Sequence, residues 1–307
     1  MQISITGGSG YLAGRICKFF SKNLSNKIFL ISRTPEKHLV SKNIFAISLS
    51  DKSAFEQCIS SSDIIIFTAG YNSHMASRDP NGAIQFAQTS IKEVSNLINR
   101  NTTLIYLSTA HVYKNPLVGE IDENTNLENM HPYALANITG EKSLIKLAKD
   151  KNLREIILRV SNCFGMPANQ SKNCWNLVLN EMCLTAIQKK LIHITGPENS
   201  IRNFLPIRTF LYQLEFLIKS KKGEYPNIIN LGHTRSFSII EIANIVKNRC
   251  KHLFDFEPLI KVNQNNQDFF QLNYKSRYLK HPSNVEENFF LELDEMLLSI
   301  NNKKLVL

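Results

Sequence analysis

The chain has 307 residues, 43% hydrophobic and 20% charged, which excludes disorder over most of its length and allows about two domains, or one large α/β domain with an appended lobe. Lys and Arg number 36 against 26 Asp and Glu, and the net charge of +10 favours anionic partners without choosing among nucleic acid, membrane surface and phosphorylated small molecules. No apolar run approaches the roughly 18 residues of a membrane span, and the six cysteines form no CxxC pair, which argues against a zinc ribbon or a redox dithiol and suits reduced thiols.

In chain order, MQISITGG runs directly into a strand and a glycine turn, so no signal peptide is expected and the protein reads as cytoplasmic. Strands are predicted at Gln2–Thr6, Ile28–Ser32, Ile44–Leu49, Asp63–Thr68, Thr103–Thr109 and Glu155–Val160. Amphipathic helices are predicted between most of them, at Leu12–Lys22, Ser53–Ser60, Ile84–Asn99 and Tyr133–Lys149. This alternation is that of a doubly wound parallel sheet, a Rossmann-type α/β fold. Runs such as IIIF and LIYL are apolar on both faces, as a sheet covered on each side requires. After about residue 162 the rhythm loosens. Helices are expected at Asn173–Lys189, Thr209–Lys219 and Ser238–Arg249, a strand at Ile228–Leu231, and from Phe254 a polar tail with aromatics and Asn to which no element is assigned. A dinucleotide-binding domain over 1–162 and a substrate-binding lobe over 163–307 follow, with a stretch near 204–232 returning to the sheet.

The turn TGGSGYLAG at residues 6–14 lies between the first strand and the first helix. Glycine there allows positive φ and close approach to a pyrophosphate, and the helix N-terminus offers unpaired N–H groups to its oxygens. The second strand ends in ISRTP. Where an NAD-binding fold places an acid for the ribose 2′-hydroxyl, this chain has Ser32 and Arg33, whose planar guanidinium matches a 2′-phosphate. NADP is therefore preferred, with Glu36 leaving NAD open.

Five motifs then occur in a telling order: TGGSGYLAG, FTAG at Phe67–Gly70, LSTAHVY at Leu107–Tyr113, HPYALAN with Glu141 eight residues after Tyr133, and LRVSNCFGMP at Leu158–Pro167. Together they resemble the extended short-chain dehydrogenase/reductases, in the NAD(P)-dependent epimerase/dehydratase group that acts on nucleotide sugars. The likeness is firm to about residue 210. It implies that Gly7, Ser9, Gly10, Tyr11, Leu12, Ser32, Arg33, Thr68, Ala69, Gly70 and Tyr133 contact the cofactor. It implies that Thr109 hydrogen-bonds the reacting sugar oxygen, and that Tyr133 exchanges a proton with that oxygen. Arg202, in IRNFLPI, matches an arginine that holds the nucleotide diphosphate, and Asn162 matches a substrate contact. The partner implied is a nucleotide-diphosphate sugar. The family also often dimerises, here through Ile84–Asn99 and Tyr133–Lys149.

Two departures shape the expectation. Asn137 stands in the family's lysine position, where it can reach a ribose hydroxyl but cannot supply the charge that lowers a tyrosine pKa. Thr109, Ala110 and His111 stand where the family's dehydratases carry Thr, Asp and Glu, so 4,6-dehydration is not expected. If the strand continues, His111 faces the same side as Thr109, either as a substrate contact and proton donor or as a packed or solvated histidine. Arg208 replaces a usual Asp and adds local positive charge. The leading reading is a 4-keto reductase or C4 epimerase of surface-polysaccharide synthesis, and the alternative, resting on Asn137, is a cofactor-binding protein with little turnover. No metal is expected, nor nucleic acid, since no basic stripe interleaved with aromatics appears.

Overall fold

The structure, a computed structural model, describes residues 1–34, 39–99, 101–169, 174–263, 271–280 and 284–303. The elements run β1 (Gln2–Thr6), α1 (Tyr11–Phe20), β2 (Lys27–Ser32), β3 (Ile44–Ser48), α2 (Lys52–Ser60), β4 (Ile64–Phe67), α3 (Ser73–Arg78), α4 (Pro80–Ser95), β5 (Thr103–Thr109), β6 (Gly119–Ile121), α5 (Pro132–Lys151) and β7 (Arg154–Val160). They continue with β8 (Asn162–Phe164), α6 (Val178–Lys189), β9 (Leu191–Ile194), β10 (Ile201–Arg202), β11 (Phe204–Pro206), α7 (Ile207–Lys219), β12 (Ile228–Leu231), β13 (Phe237–Ser238), α8 (Ile239–Phe254), β14 (Leu259–Val262), β15 (Leu272–Tyr274) and α9 (Val285–Lys303).

A seven-stranded sheet has the order β12-β7-β5-β4-β1-β2-β3, and the pairings from β7 across to β3 are parallel. This is the Rossmann-like α/β architecture expected from the alternating runs. Every residue of β4 is buried, as is Ile3 to Ile5 of β1, because helices cover both faces of the sheet. In register, Thr6 lies opposite Ile31 and Phe67, and Thr109 opposite Val160. The carboxyl ends of β1, β2, β4 and β5 therefore share one edge, where open α/β sheets bind ligands.

The described residues form two compact units. One comprises Met1–Asn115, Thr125–Val160 and Lys219–Ile229, and the other Pro116–Asn124, Ser161–Ile218 and Asn230–Leu307. The first is centred on Ile65, Phe67, Ile91, Leu104, Leu144 and Ile157. The second has its own core, in which α6, α8 and α9 contribute Met182, Val246, Phe289, Leu293 and Met296, with Phe237 stacked on Phe289. Each such side chain, fully buried, contributes about 1.5–3 kcal/mol. The 116–124 excursion is tied into this second unit by β6, which pairs with β15, and by Glu123. The Glu123 carboxylate accepts from the Asn230 N–H at 2.9 Å, the Ser276 hydroxyl at 2.5 Å and the Arg277 N–H at 2.9 Å.

Several boundaries differ from the sequence expectation. The helix expected from Ile84 starts at Pro80, because Asp79 accepts from the Gly82 N–H at 2.9 Å and proline suits the first helical position. The unforeseen α3 is capped by Asn72, which accepts from the Met75 N–H at 2.8 Å. The described part of the helix expected from Asn173 begins at Val178, and Asn173 itself lies outside the described residues. The tail, to which the sequence pattern assigned no element, carries two strands and the 19-residue α9. Among the described residues, no helix is long and apolar enough to cross a membrane.

Candidate active site

The glycine turn after β1 is built by close approach. Gly7 has φ +70°, and a Cβ there would lie 2.7 Å from the Ala69 nitrogen and 2.9 Å from the Thr68 hydroxyl. Thr68 in turn donates to the Thr6 carbonyl at 2.6 Å, which locks the end of β4 against the end of β1. The turn closes through the Gly10 N–H, 2.7 Å from the Gly7 carbonyl. Gly10 is the N-cap of α1 and offers no side chain, so none of the first N–H groups of that helix is capped by it. Gly7 thus stands against Thr68 and Ala69 at the sheet edge, and Gly10, Tyr11 and Leu12 open α1 from the same turn. A turn that takes glycine at residues 7, 8 and 10, next to a helix start without a side-chain cap, fits a dinucleotide pyrophosphate.

At the end of β2, Ser32 is buried and donates its hydroxyl to the Thr34 carbonyl at 2.6 Å, whereas Arg33 is exposed. Glu36 lies outside the described residues.

Thr109 is the last residue of β5 and is 6% exposed. The strand stops there. Residues Ala110–Val112 turn into a 3₁₀ helix, and the Thr109 hydroxyl accepts from the His111 N–H at 3.2 Å. The condition under which Thr109 and His111 share a strand face is therefore not met. The His111 carbonyl is held by the Asn129 amide at 2.7 Å. Tyr133 sits in the first turn of α5, where Pro132 supplies a preset φ and the His131 Nδ1 accepts from the Tyr133 N–H at 3.2 Å. Burial pushes the half-buried Tyr133 phenol above its ordinary pKa, and hydrogen bonding with the Thr109 and Asn137 side chains pulls it partly back. Asn137 also donates its amide to the Tyr133 carbonyl at 2.8 Å. Thr109, Tyr133 and Asn137 thus meet around one phenol, while Lys142 is exposed.

Sequence reasoning assigned no role to the group beneath these residues. Glu141 and Arg159 form a bidentate ion pair, Nε to Oε1 at 3.0 Å and Nη2 to Oε2 at 2.7 Å, with side chains only 3% and 4% exposed. Ser108 donates to Glu141 Oε1 at 2.5 Å, and Arg159 Nη1 donates to the Tyr113 hydroxyl at 3.0 Å. Burial pulls the Arg159 pKa down, but Glu141 and Tyr113 more than offset it and hold it above its ordinary value. The available signal was the spacing of Glu141 two helical turns beyond Tyr133.

In the second unit, the Asn162 amide donates to the Asn203 carbonyl at 3.0 Å. Arg202 lines a cavity of about 250 Å³ together with Glu181, Thr185, His193 and Ser200. Its Nε is buried with no hydrogen-bond partner among the described residues, and burial lowers its pKa. An unpaired guanidinium nitrogen in a cavity is suited to an anionic oxygen. Arg208 does not add the free positive charge expected of it. It lies 2.8 Å from Glu295 and 3.9 Å from Glu292. Among the described residues, no group of three His, Cys, Asp or Glu side chains is placed to hold a metal ion.

The family model for the NAD dependent epimerase/dehydratase family matches residues 3–232. The chain is 25% identical over 279 residues to the dTDP-D-glucose 4,6-dehydratase of Dictyostelium discoideum, a match that covers 80% of this chain and 62% of that protein, less than two thirds of its length. It is 23% identical over 257 residues to the ADP-L-glycero-D-manno-heptose-6-epimerase of Brachyspira hyodysenteriae, covering 80% of each. The crystal structure of UDP-glucuronic acid 4-epimerase from Bacillus cereus, in complex with UDP-glucuronic acid and NAD, superposes with a TM-score of 0.76 at 15% identity, covering 97% of this chain and all of that one. At that identity the likeness concerns the fold.

Proposed function

The chain belongs to the NAD dependent epimerase/dehydratase family, and from that premise we propose that it is an oxidoreductase or epimerase acting on a nucleotide-diphosphate sugar. The observation that carries the reading is the meeting of Thr109, Tyr133 and Asn137 at the sheet edge that also bears the glycine cradle. The nicotinamide dinucleotide, when bound, supplies or accepts the hydride. Gly7, Ser9, Gly10, Tyr11 and Leu12 hold its pyrophosphate with main-chain N–H groups, with Thr68, Ala69 and Gly70 forming the facing wall. Ser32 and Arg33 receive the adenosine ribose, and Arg33 favours NADP(H) over NAD(H).

Thr109 hydrogen-bonds the reacting sugar oxygen. Tyr133 gives a proton to that oxygen in reduction and takes one in oxidation. Asn137 orients the phenol and reaches the cofactor ribose, and His111 borders the sugar. Arg202 clamps the diphosphate with charge-assisted bonds, and Asn162 lines the same substrate site. A neutral phenol with no lysine beside it is already an acid, so 4-keto reduction is favoured over C4 epimerisation, which needs both directions. Dehydration is not proposed, because Ala110 and His111 replace the acidic pair. A binding protein without turnover has no observation in its favour, since Tyr133 and Thr109 are both present where the reaction needs them.

The proposed setting is surface-polysaccharide synthesis in the cytoplasm, by a homodimer joined through α4 and α5. The test is a panel of UDP-, dTDP- and ADP-sugars and their 4-keto forms, assayed with NADPH and NADH by nicotinamide absorbance and product stereochemistry. Turnover that is lost in Tyr133→Phe supports the reading. Absence of turnover and of nucleotide-sugar binding overturns it.

A further inference from the structure

We propose that the buried Glu141–Arg159 pair is the positioning element of this site, setting the distance between the Thr109 hydroxyl and the Tyr133 phenol. The proposal rests on the functional reading above and adds to it which residues hold the two groups in register.

Tyr133 and Glu141 share α5, eight residues or roughly 12 Å apart along one helix axis. A regular helix is stiff over that span, so fixing Glu141 fixes where Tyr133 stands. Thr109 lies on the other element, at the point where β5 gives way to a single 3₁₀ turn. Such a turn has little to hold it in place by itself. It is gripped at both ends by the same ion pair. Ser108, immediately before Thr109, donates to Glu141 Oε1 at 2.5 Å. Tyr113, two residues beyond His111, receives Arg159 Nη1 at 3.0 Å, and the guanidinium also lies over the Tyr113 ring at 4.9 Å from its centroid. All four side chains are buried.

A cohesive role alone accounts poorly for this arrangement. Burying two charges costs more than packing apolar side chains of similar volume, so such a pair is weak evidence for stability. What it supplies here is direction, since a bidentate fork fixes angle as well as distance. The effect on Tyr133 is geometric. Arg159 is neutralised by Glu141 and so does not replace the positive charge missing at Asn137. A second tie acts in the same sense. Gly140, next to Glu141, lets the buried Tyr106 of β5 press its hydroxyl against α5, where any Cβ would collide with it. Tyr106 stands above its ordinary pKa through burial first, then through Glu141 and Tyr133.

The variants are Ser108→Ala, Tyr113→Phe and the two combined. Each removes a strut and leaves the ion pair intact, which avoids the unfolding that an orphaned Glu141 or Arg159 invites. The double variant is expected to lower kcat about tenfold to a hundredfold, as a displacement near 1 Å does. KM for the nucleotide sugar and the Kd for cofactor should stay within about twofold. A second readout needs no turnover: the phenolate absorbance of Tyr133, taken as the difference between each protein and its Tyr133→Phe counterpart. That titration should move to higher pH as the Thr109 hydrogen bond is lost. A folded double variant with an unmoved Tyr133 titration overturns the proposal. So does a kcat within about twofold of the parent. If the parent protein turns over no sugar, the functional reading fails, and the titration still decides the positioning role.

Discussion

Asn137 donates its side-chain amide to the Tyr133 carbonyl at 2.8 Å, so the residue in the family's lysine position is bound back onto its own helix. It brings no charge to a phenol that burial already raises above its ordinary pKa of about 10. At pH 7 fewer than about one molecule in a thousand then carries a phenolate, and that fraction grows tenfold per pH unit. Oxidation of a sugar hydroxyl needs the phenolate, so its rate should keep climbing as pH rises from neutrality into the alkaline range. Reduction uses the neutral phenol, so it should be level through neutrality and fall only in strong alkali. Asn137→Lys places a cation that lowers the phenol's pKa, and should speed oxidation near neutrality by about tenfold or more while changing reduction much less. Initial rates in both directions across pH check this. Efficient oxidation at neutral pH, unaltered by the substitution, contradicts it.

Arg202 has a buried Nε without a partner among the described residues, and the residue lines a cavity of about 250 Å³. A charge-assisted bond contributes about 1.5–3 kcal/mol, so Arg202→Ala should weaken nucleotide-sugar binding at least about tenfold and leave cofactor binding unchanged. Calorimetric titration measures both. Equal affinity of the parent protein for free sugars and nucleotide sugars would count against a diphosphate clamp.

Arg33 is exposed at the end of β2, beside a Ser32 hydroxyl already engaged with the main chain. Arg33→Ala should reduce NADPH affinity about tenfold, the loss of one charge-assisted contact, and barely affect NADH. Fluorescence titration with the two cofactors distinguishes the cases, and equal losses would rule out recognition of a 2′-phosphate.

Gly140 lies in the interior of α5, where alanine ordinarily stabilises by about 1 kcal/mol. Here the added methyl would meet the Tyr106 hydroxyl, with the ring's Cζ at 2.5 Å. Gly140→Ala should therefore destabilise by about 1–3 kcal/mol, the cost of overpacking. Denaturant unfolding gives the sign, and a midpoint equal to or above that of the parent would show that Tyr106 yields.

The sheet and the glycine turn were legible because their signals are local. IIIF is apolar at every position of β4, and Gly7 sits one residue beyond β1. What escaped notice depends on distant partners. Glu141 and Arg159 are residue types that usually lie at the surface, and nothing in the linear pattern says that they bury each other. The pairing of β6 with β15 joins segments about 150 residues apart, each only 3 residues long. The end of β5 at Thr109 was legible, but the 3₁₀ turn that carries His111 off the strand face has no local signal in AHV. α9 is a different case. Val285, Phe289, Leu293, Met296, Leu297 and Ile300 recur at helical spacing, and the many polar residues between them obscured a pattern that was present.

The chain crosses between its two compact units at 115–116, 124–125, 160–161, 218–219 and 229–230. No single cut of the polypeptide therefore releases either unit whole, and no single exon-like segment encodes one. A gene fusion or recombination event that exchanges one continuous segment cannot swap either unit between relatives as a cassette. Changes of substrate in such a molecule must accumulate residue by residue inside a frame that is inherited entire.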